Sequence, residues 1–176
     1  MAFVNICQIF HRWTDEVLNE RQVNMIKTER LNIRIATDDE MRALVAEETD
    51  EEMKKAYGEM LEGCLREPEN RQWYAAWFIE AGEKVIGDLC FKGLPPDGNV
   101  EIGYGIFPEF WGKGYATEAV KAIVLWASVQ PGVKRIEAET EPDNTASRRV
   151  LEKAGFLPTG EYGEEGPRFF RNAKND

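Results

Sequence analysis

The chain has one histidine, His11, in 176 residues. That scarcity excludes a multi-histidine metal site and leaves almost no room for a histidine-based triad. Acid–base chemistry must therefore rest on carboxylates, hydroxyls, tyrosines or lysines. Cysteine is nearly as scarce. Cys7, Cys64 and Cys90 are odd in number and far apart, which reads as buried thiols in a reducing cytoplasm and not as a disulfide framework. No apolar run approaches the roughly 18 residues of a membrane-spanning helix. The N-terminus lacks the basic flank, apolar core and cleavage site of a secretory signal. An excess of positive charge is also missing: 22 Lys and Arg face 32 Asp and Glu, for a net charge of −10. That argues against nonspecific nucleic-acid binding and fits a cationic partner, or simply an acidic soluble protein.

What is present fits one globular domain. The length supports a sizeable core, and 43% hydrophobic with 31% charged residues is ordinary for such a chain. Residues 1–24 lack the pattern that follows and read as an N-terminal extension, mobile or a short helix; 25–176 reads as the single domain. A first strand is expected at 30–36. Thr37-Asp38-Asp39-Glu40 and Thr49-Asp50-Glu51-Glu52 read as capping boxes opening helices at 38–48 and 50–66. Strands are expected at 73–80 and 84–92 around a tight turn, then at 100–107. A helix at 115–129 carries Ala116, Ala119, Val120, Ile123, Val124 and Ala127 on its buried face. A strand at 134–140 and a helix at 145–154 capped by Gly155 follow, and Phe169-Phe170 suggests a last short strand.

The most informative stretch is Glu101 to Ala116. A strand stops at Pro108, a loop carries Gly112 and Gly114, and a helix begins near Tyr115. Strand, glycine loop and helix N-terminus together aim backbone N–H groups at an anion, with a partial positive charge behind them. The Walker spacing fails here, because Gly105 lies too far from Gly112-Lys113 and Gly114 stands where a hydroxyl residue is needed. The dinucleotide fingerprint half-fits Gly112 to Thr117 but lacks its third glycine, and the loop follows an apparent antiparallel meander. A looser rule, Arg/Gln-x-x-Gly-x-Gly/Ala, fits 111–116 at Gly114 and Ala116, with Trp111 departing at the first position.

This loop resembles the pyrophosphate loop of the GNAT superfamily of N-acetyltransferases. Asn144 to Phe156, ending Glu-Lys-Ala-Gly-Phe, is similar to the family's second coenzyme-A-facing helix. Thr28-Glu29-Arg30-Leu31-x-Ile33-Arg34 resembles the first strand of the branch that acetylates ribosomal-protein N-termini. The resemblance spans roughly residues 25–160 and implies an α/β (α+β) fold. Its mixed, mostly antiparallel central sheet would have six to seven strands, with about four flanking helices and a splay in the middle for acetyl-coenzyme A. It implies no metal. Acetyl-coenzyme A would be held by Gly105, Ile106, Phe107, Trp111, Gly112, Lys113, Gly114, Tyr115, Ala116, Thr117, Asn144, Ser147 and Arg149, with Arg148 near the adenosine phosphate.

The resemblance further implies attack by a primary amine on the thioester. Glu101 is the candidate base, with Glu80, Asp88, Glu137 and Glu139 as competitors. Many relatives carry a tyrosine where this chain has Leu151; Ser147, one turn earlier, is the candidate donor to the leaving thiolate. Each of these has a plainer reading, as a surface glutamate or a helix-stabilising hydroxyl. The acceptor is a small-molecule amine or a protein N-terminus, the protein a monomer or homodimer without nucleic-acid or membrane partners. A noncatalytic acyl-coenzyme-A-binding or sensing module of the same fold is the alternative.

Overall fold

A computed structural model describes residues 25–173. The extension at 1–24, with His11 and Cys7, and the last three residues lie outside the described part. The described residues form two compact units that meet between Cys90 and Phe91.

In the first unit four strands pair antiparallel in chain order: β1 (Met25–Lys27), β2 (Asn32–Ile35), β3 (Trp77–Ala81) and β4 (Lys84–Phe91). β1 is an addition to the sequence reading, too short at three residues to show a periodicity. Between β2 and β3 run α1 (Asp38–Glu47) and α2 (Glu51–Arg66). The Thr37–Glu40 capping box forms in full, the Thr37 hydroxyl accepting from the Glu40 N–H and the Glu40 carboxylate from the Thr37 N–H. The second expected box does not form. Asp50 caps α2, accepting from the N–H groups of Glu52 and Met53 at 3.0 Å each. Aspartate outranks threonine as a cap, and Thr49 is drawn back to Glu48. The expected strand start at Trp73 is also corrected. Pro68–Trp73 is a short 3-10 turn, and β3 begins at Trp77. Pro68 cannot continue α2 but suits the first position of a new turn.

The unit's core is built by Ile33, Met41, Leu44, Trp77, Phe78, Ile79, Ile86 and Leu89, all essentially solvent-free. One charged group joins them. Arg34, 5% exposed, forks onto Glu40 at 2.9 Å through both terminal nitrogens and donates Nε–H to Glu80 at 2.7 Å. Burial pulls the Glu40 carboxyl up, but the Arg34 hydrogen bonds and charge outweigh it and hold it below its ordinary range. The carboxylate that caps α1 is thus the one that ties the helix to the sheet.

The second unit contains β5 (Asn99–Ile106), α3 (Tyr115–Ala127), β6 (Arg135–Glu139), α4 (Thr145–Lys153), β7 (Leu157–Tyr162) and β8 (Pro167–Asn172). Its strand order is β5-β6-β8-β7. β5 and β6 are parallel, with α3 as the crossover; the other pairings are antiparallel. α3 packs on β5 and α4 and buries Ala119, Val120, Ile123, Val124 and Ala127. Ala116, expected on that face, stays partly exposed in the first turn. β7 was not foreseen and raises the strand count to eight, above the expected six to seven. The four α-helices match the sequence reading, and the strands are mixed and mostly antiparallel, as expected. Cys64 is buried and Cys90 partly so, and neither forms a disulfide among the described residues. No helix among the described residues is long and apolar enough to cross a membrane.

Candidate functional site

The site grows from the end of β5. Pro108–Phe110 makes one 3-10 turn, and Trp111 follows, 66% exposed. Gly112 and Gly114 then take left-handed φ values of +73° and +80°. Only glycine enters that region without cost, so both are fixed by the path of the chain. Gly114 occupies the cap position of α3 and brings no side chain to it. The first bond of the helix ladder is Glu118 N–H to the Gly114 carbonyl, so the N–H groups before Glu118 stand outside the ladder. A Cβ built on Gly112 meets nothing within 4 Å. Glycine conformation, open space and the start of a thirteen-residue helix together leave an open cradle lined by backbone N–H groups. Lys113 folds back, donating from Nζ to the Glu109 carbonyl at 3.3 Å beside the Phe110 ring.

β5 has an open edge next to this cradle. Its register with β6 runs through Asn99–Arg135, Val100–Ile136 and Glu101–Glu137. Ile102 to Ile106 extend past it, which is the expected splay. The Glu101 carbonyl accepts from Lys92 N–H, and the Gly98 carbonyl accepts from Lys134 and Arg135 N–H on the β6 side. Strand alternation therefore turns the backbone groups of Ile102, Tyr104 and Ile106 to the open side. Trp111 occupies one of them, its indole N–H bonding the Ile106 carbonyl at 2.5 Å. The sequence did not signal this contact. The side chain that breaks the loop motif staples the loop to the strand end.

Glu101 projects from the opposite face of β5 to Tyr104, three residues on. Its carboxylate pairs with the Lys92 ammonium and accepts from Arg168 Nη2 at 2.8 Å. Arg168 also meets Glu137 at 3.5 Å and Glu139 at 3.1 Å. Two of the competing carboxylates thus share one guanidinium with Glu101, while Glu80 is committed to Arg34. Glu139 also accepts from Glu165 N–H at 3.0 Å, and a Cβ on Gly163 would collide with its carboxylate, so the β7–β8 hairpin tip is seated on it. Burial opposes the charge on Lys92, but the Glu101 hydrogen bond and the nearby glutamates raise its pKa above the ordinary lysine value.

On the other face, the Asn144 side chain caps α4, accepting from Ser147 N–H at 2.9 Å. The Ser147 hydroxyl lies 2.9 Å from the Tyr104 hydroxyl. Arg149 is exposed, and Arg148 Nε is enclosed without a hydrogen bond among the described residues. Leu151 is fully buried and offers no hydroxyl.

Residues 21–157 match the acetyltransferase (GNAT) domain family. The chain belongs to this family. Its relatives include the uncharacterized N-acetyltransferase YoaA of Bacillus subtilis, 33% identical over 149 residues, covering 77% of this chain and 84% of that one. The probable N-acetyltransferase YjcK of the same organism is 48% identical over 93 residues, about half of each chain. The fold is similar to that of RimL, the ribosomal L7/L12 α-N-protein acetyltransferase solved with coenzyme A, at a TM-score of 0.67 and 20% identity. That likeness covers 87% of this chain and all of RimL. The ribosomal-protein-S5-alanine acetyltransferase of Vibrio fischeri gives a TM-score of 0.68 at 16% identity, over 86% and 97% of the two chains. This GNAT chain is therefore an acetyl-coenzyme-A-dependent N-acetyltransferase by family.

Of the five candidate carboxylates, Asp88 is the one without an ion pair among the described residues. Burial pushes the Asp88 carboxyl, on β4, up to about 6, a backbone hydrogen bond pulling the other way. The buried Tyr57 hydroxyl is raised in turn, by its own burial and then by the Asp88 charge. A carboxyl raised above its unfolded value binds its proton more tightly in the native state. It therefore costs stability as pH rises from about 4 through 6, and the cost stays above that. Asp88→Asn is expected to stabilise the protein by about 1–2 kcal/mol at pH 7.5 and by little at pH 4. Thermal melts at the two pH values test this; equal shifts at both would refute it.

Proposed function

We propose that the protein transfers the acetyl group of acetyl-coenzyme A to a primary amine by direct attack in a ternary complex. The observation that carries this reading is the left-handed Gly112–Gly114 loop leading into uncapped α3 beside the open edge of β5. The loop backbone from Trp111 to Thr117 would hold the pyrophosphate. The open backbone from Ile102 to Phe107, with Asn144 and Arg149 beyond it, would hold the rest. Bound there, acetyl-coenzyme A supplies an acetyl thioester. The amine nitrogen bonds to the carbonyl carbon, the carbon–sulfur bond breaks with its electron pair going to sulfur, and Glu101 takes the amine proton directly or through water. Ser147 faces the leaving sulfur. An N–H at the open edge of β5 near Gly105–Phe107 would stabilise charge on the carbonyl oxygen.

The acceptor is a small-molecule amine or a protein N-terminus, the compartment the cytoplasm, and the working unit a monomer or homodimer built on residues 25–176. RimL's acceptor is a ribosomal protein, which supports the N-terminal class without selecting it. A panel of amines and N-terminal peptides, read by release of free thiol, tests the reading. Tight binding of acetyl-coenzyme A with no thiol release from any acceptor would favour the noncatalytic sensor, a reading to which the buried Leu151 gives its one support.

A further inference from the structure

We propose that Tyr104 is a positioning residue for Ser147, holding the serine hydroxyl so that it donates a hydrogen bond to the sulfur of coenzyme A. The proposal rests on the acetyltransferase reading and adds to it the group that makes a lone serine effective.

Tyr104 comes from the open stretch of β5 and Ser147 from the first turn of α4, 43 residues apart. Their hydroxyl oxygens lie 2.9 Å apart, partly buried, with either able to donate, and the Ser147 carbonyl at 3.2 Å is a second acceptor within reach of the phenol's one hydrogen. The serine backbone is fixed independently by Asn144. A helical serine usually spends its hydrogen on a carbonyl of the preceding turn. Here its hydroxyl is engaged by a phenol instead. A serine hydroxyl has one hydrogen and two acceptor sites. When the phenol donates to Oγ, the serine hydrogen is left to point elsewhere, and a polarised Oγ–H is a better donor. Burial pushes the Tyr104 phenol up to about 12, the Ser147 hydrogen bond pulling down, so it keeps a hydrogen to give at any working pH.

Strand alternation puts this pair and Glu101 on opposite faces of β5. The amine proton would leave on the Glu101 side and the sulfur would receive its hydrogen bond on the Ser147 side, with the open edge between them. The serine keeps its proton. The sulfur leaves as thiolate, stabilised by the hydrogen bond, and is protonated by water after release.

The test needs no acceptor. Coenzyme A labelled with ¹³C at the carbon bearing sulfur is bound to the full chain, and its thiol is titrated by NMR. A donor to the thiolate makes the thiol more acidic. The bound thiol is expected to be about tenfold more acidic on the wild type than on Ser147→Ala. Tyr104→Phe should lose most of that difference, and the double variant should match Ser147→Ala, because Tyr104 acts only through the serine. A wild-type titration in Tyr104→Phe overturns the proposal. So does an equal further loss when Tyr104→Phe is added to Ser147→Ala, which marks a packing effect. Should Tyr104→Phe not fold, difluorotyrosine at 104, a stronger donor, must raise the thiol's acidity; no change overturns the proposal. A wild type that does not bind coenzyme A overturns the acetyltransferase reading itself, a distinct result.

Discussion

Gly114→Asp is expected to weaken binding of acetyl-coenzyme A sharply and to leave the protein folded. Two effects act on the same atoms. Gly114 sits at φ +80°, where a side chain is strained, although aspartate and asparagine are the least penalised of the alternatives. That strain costs about 1 kcal/mol, well within the stability of a domain of this size. The new carboxylate stands at the cap of α3, the point at which the diphosphate's negative charge would have to sit. Like charges a few ångströms apart in a partly shielded cleft repel by several kcal/mol, so affinity should fall by at least about 100-fold. Gly114→Asn separates the terms. It has nearly the same size and the same tolerance of left-handed backbone, but no charge. Calorimetric titration should place it between wild type and Gly114→Asp, with all three giving the same far-ultraviolet circular dichroism. Wild-type affinity in the aspartate variant would remove the phosphate from this loop.

The parts of the fold and site written in local backbone chemistry were legible in the sequence. Pro108, Gly112 and Gly114 announce a turn whatever surrounds them. Thr37–Glu40, Asn144 and Gly155 announce helix ends in the same way, and the structure has each of them. Errors arose where two local signals competed, as at Thr49 and Asp50, or where a segment carried no signal. β7 is almost wholly exposed, so its sequence shows no buried alternation. The chemistry of the site was less legible because it is made by long-range pairs. Nothing near Tyr104 in sequence points to Ser147, nor anything near Glu101 to Arg168, 67 residues on. Trp111 shows the limit of motif reading. It counted as a departure from a pattern, and it is the residue that ties the loop to β5.

Glu101→Gln should lower the turnover number by roughly 10²–10⁴ and leave cofactor affinity nearly unchanged. The ion pairs around Glu101 bear on what this variant measures. Among the described residues, four carboxylates (Glu101, Glu137, Glu139 and Glu165) are shared by three cations, Lys92, Arg135 and Arg168. A glutamine leaves three of each, and Lys92 and Arg168 both keep a carboxylate partner. Its side-chain oxygen still accepts from Arg168. Stability should therefore change little, which separates this variant from one that merely breaks the cluster. The charge is the part removed. Ion pairing uses one acceptor site on each oxygen of Glu101, and a carboxylate has about four, so room remains for an amine proton or a bridging water. Without the charge, the reaction depends on the fraction of acceptor that is already neutral. Raising the pH toward the amine's own pKa should then recover part of the rate in the variant, while the wild type gains less. Suppose that chemistry is rate-limiting and the glutamine variant turns over at the wild-type rate near neutral pH. Glu101 is then an ion-pair residue, and either another carboxylate is the base or an already neutral amine needs none.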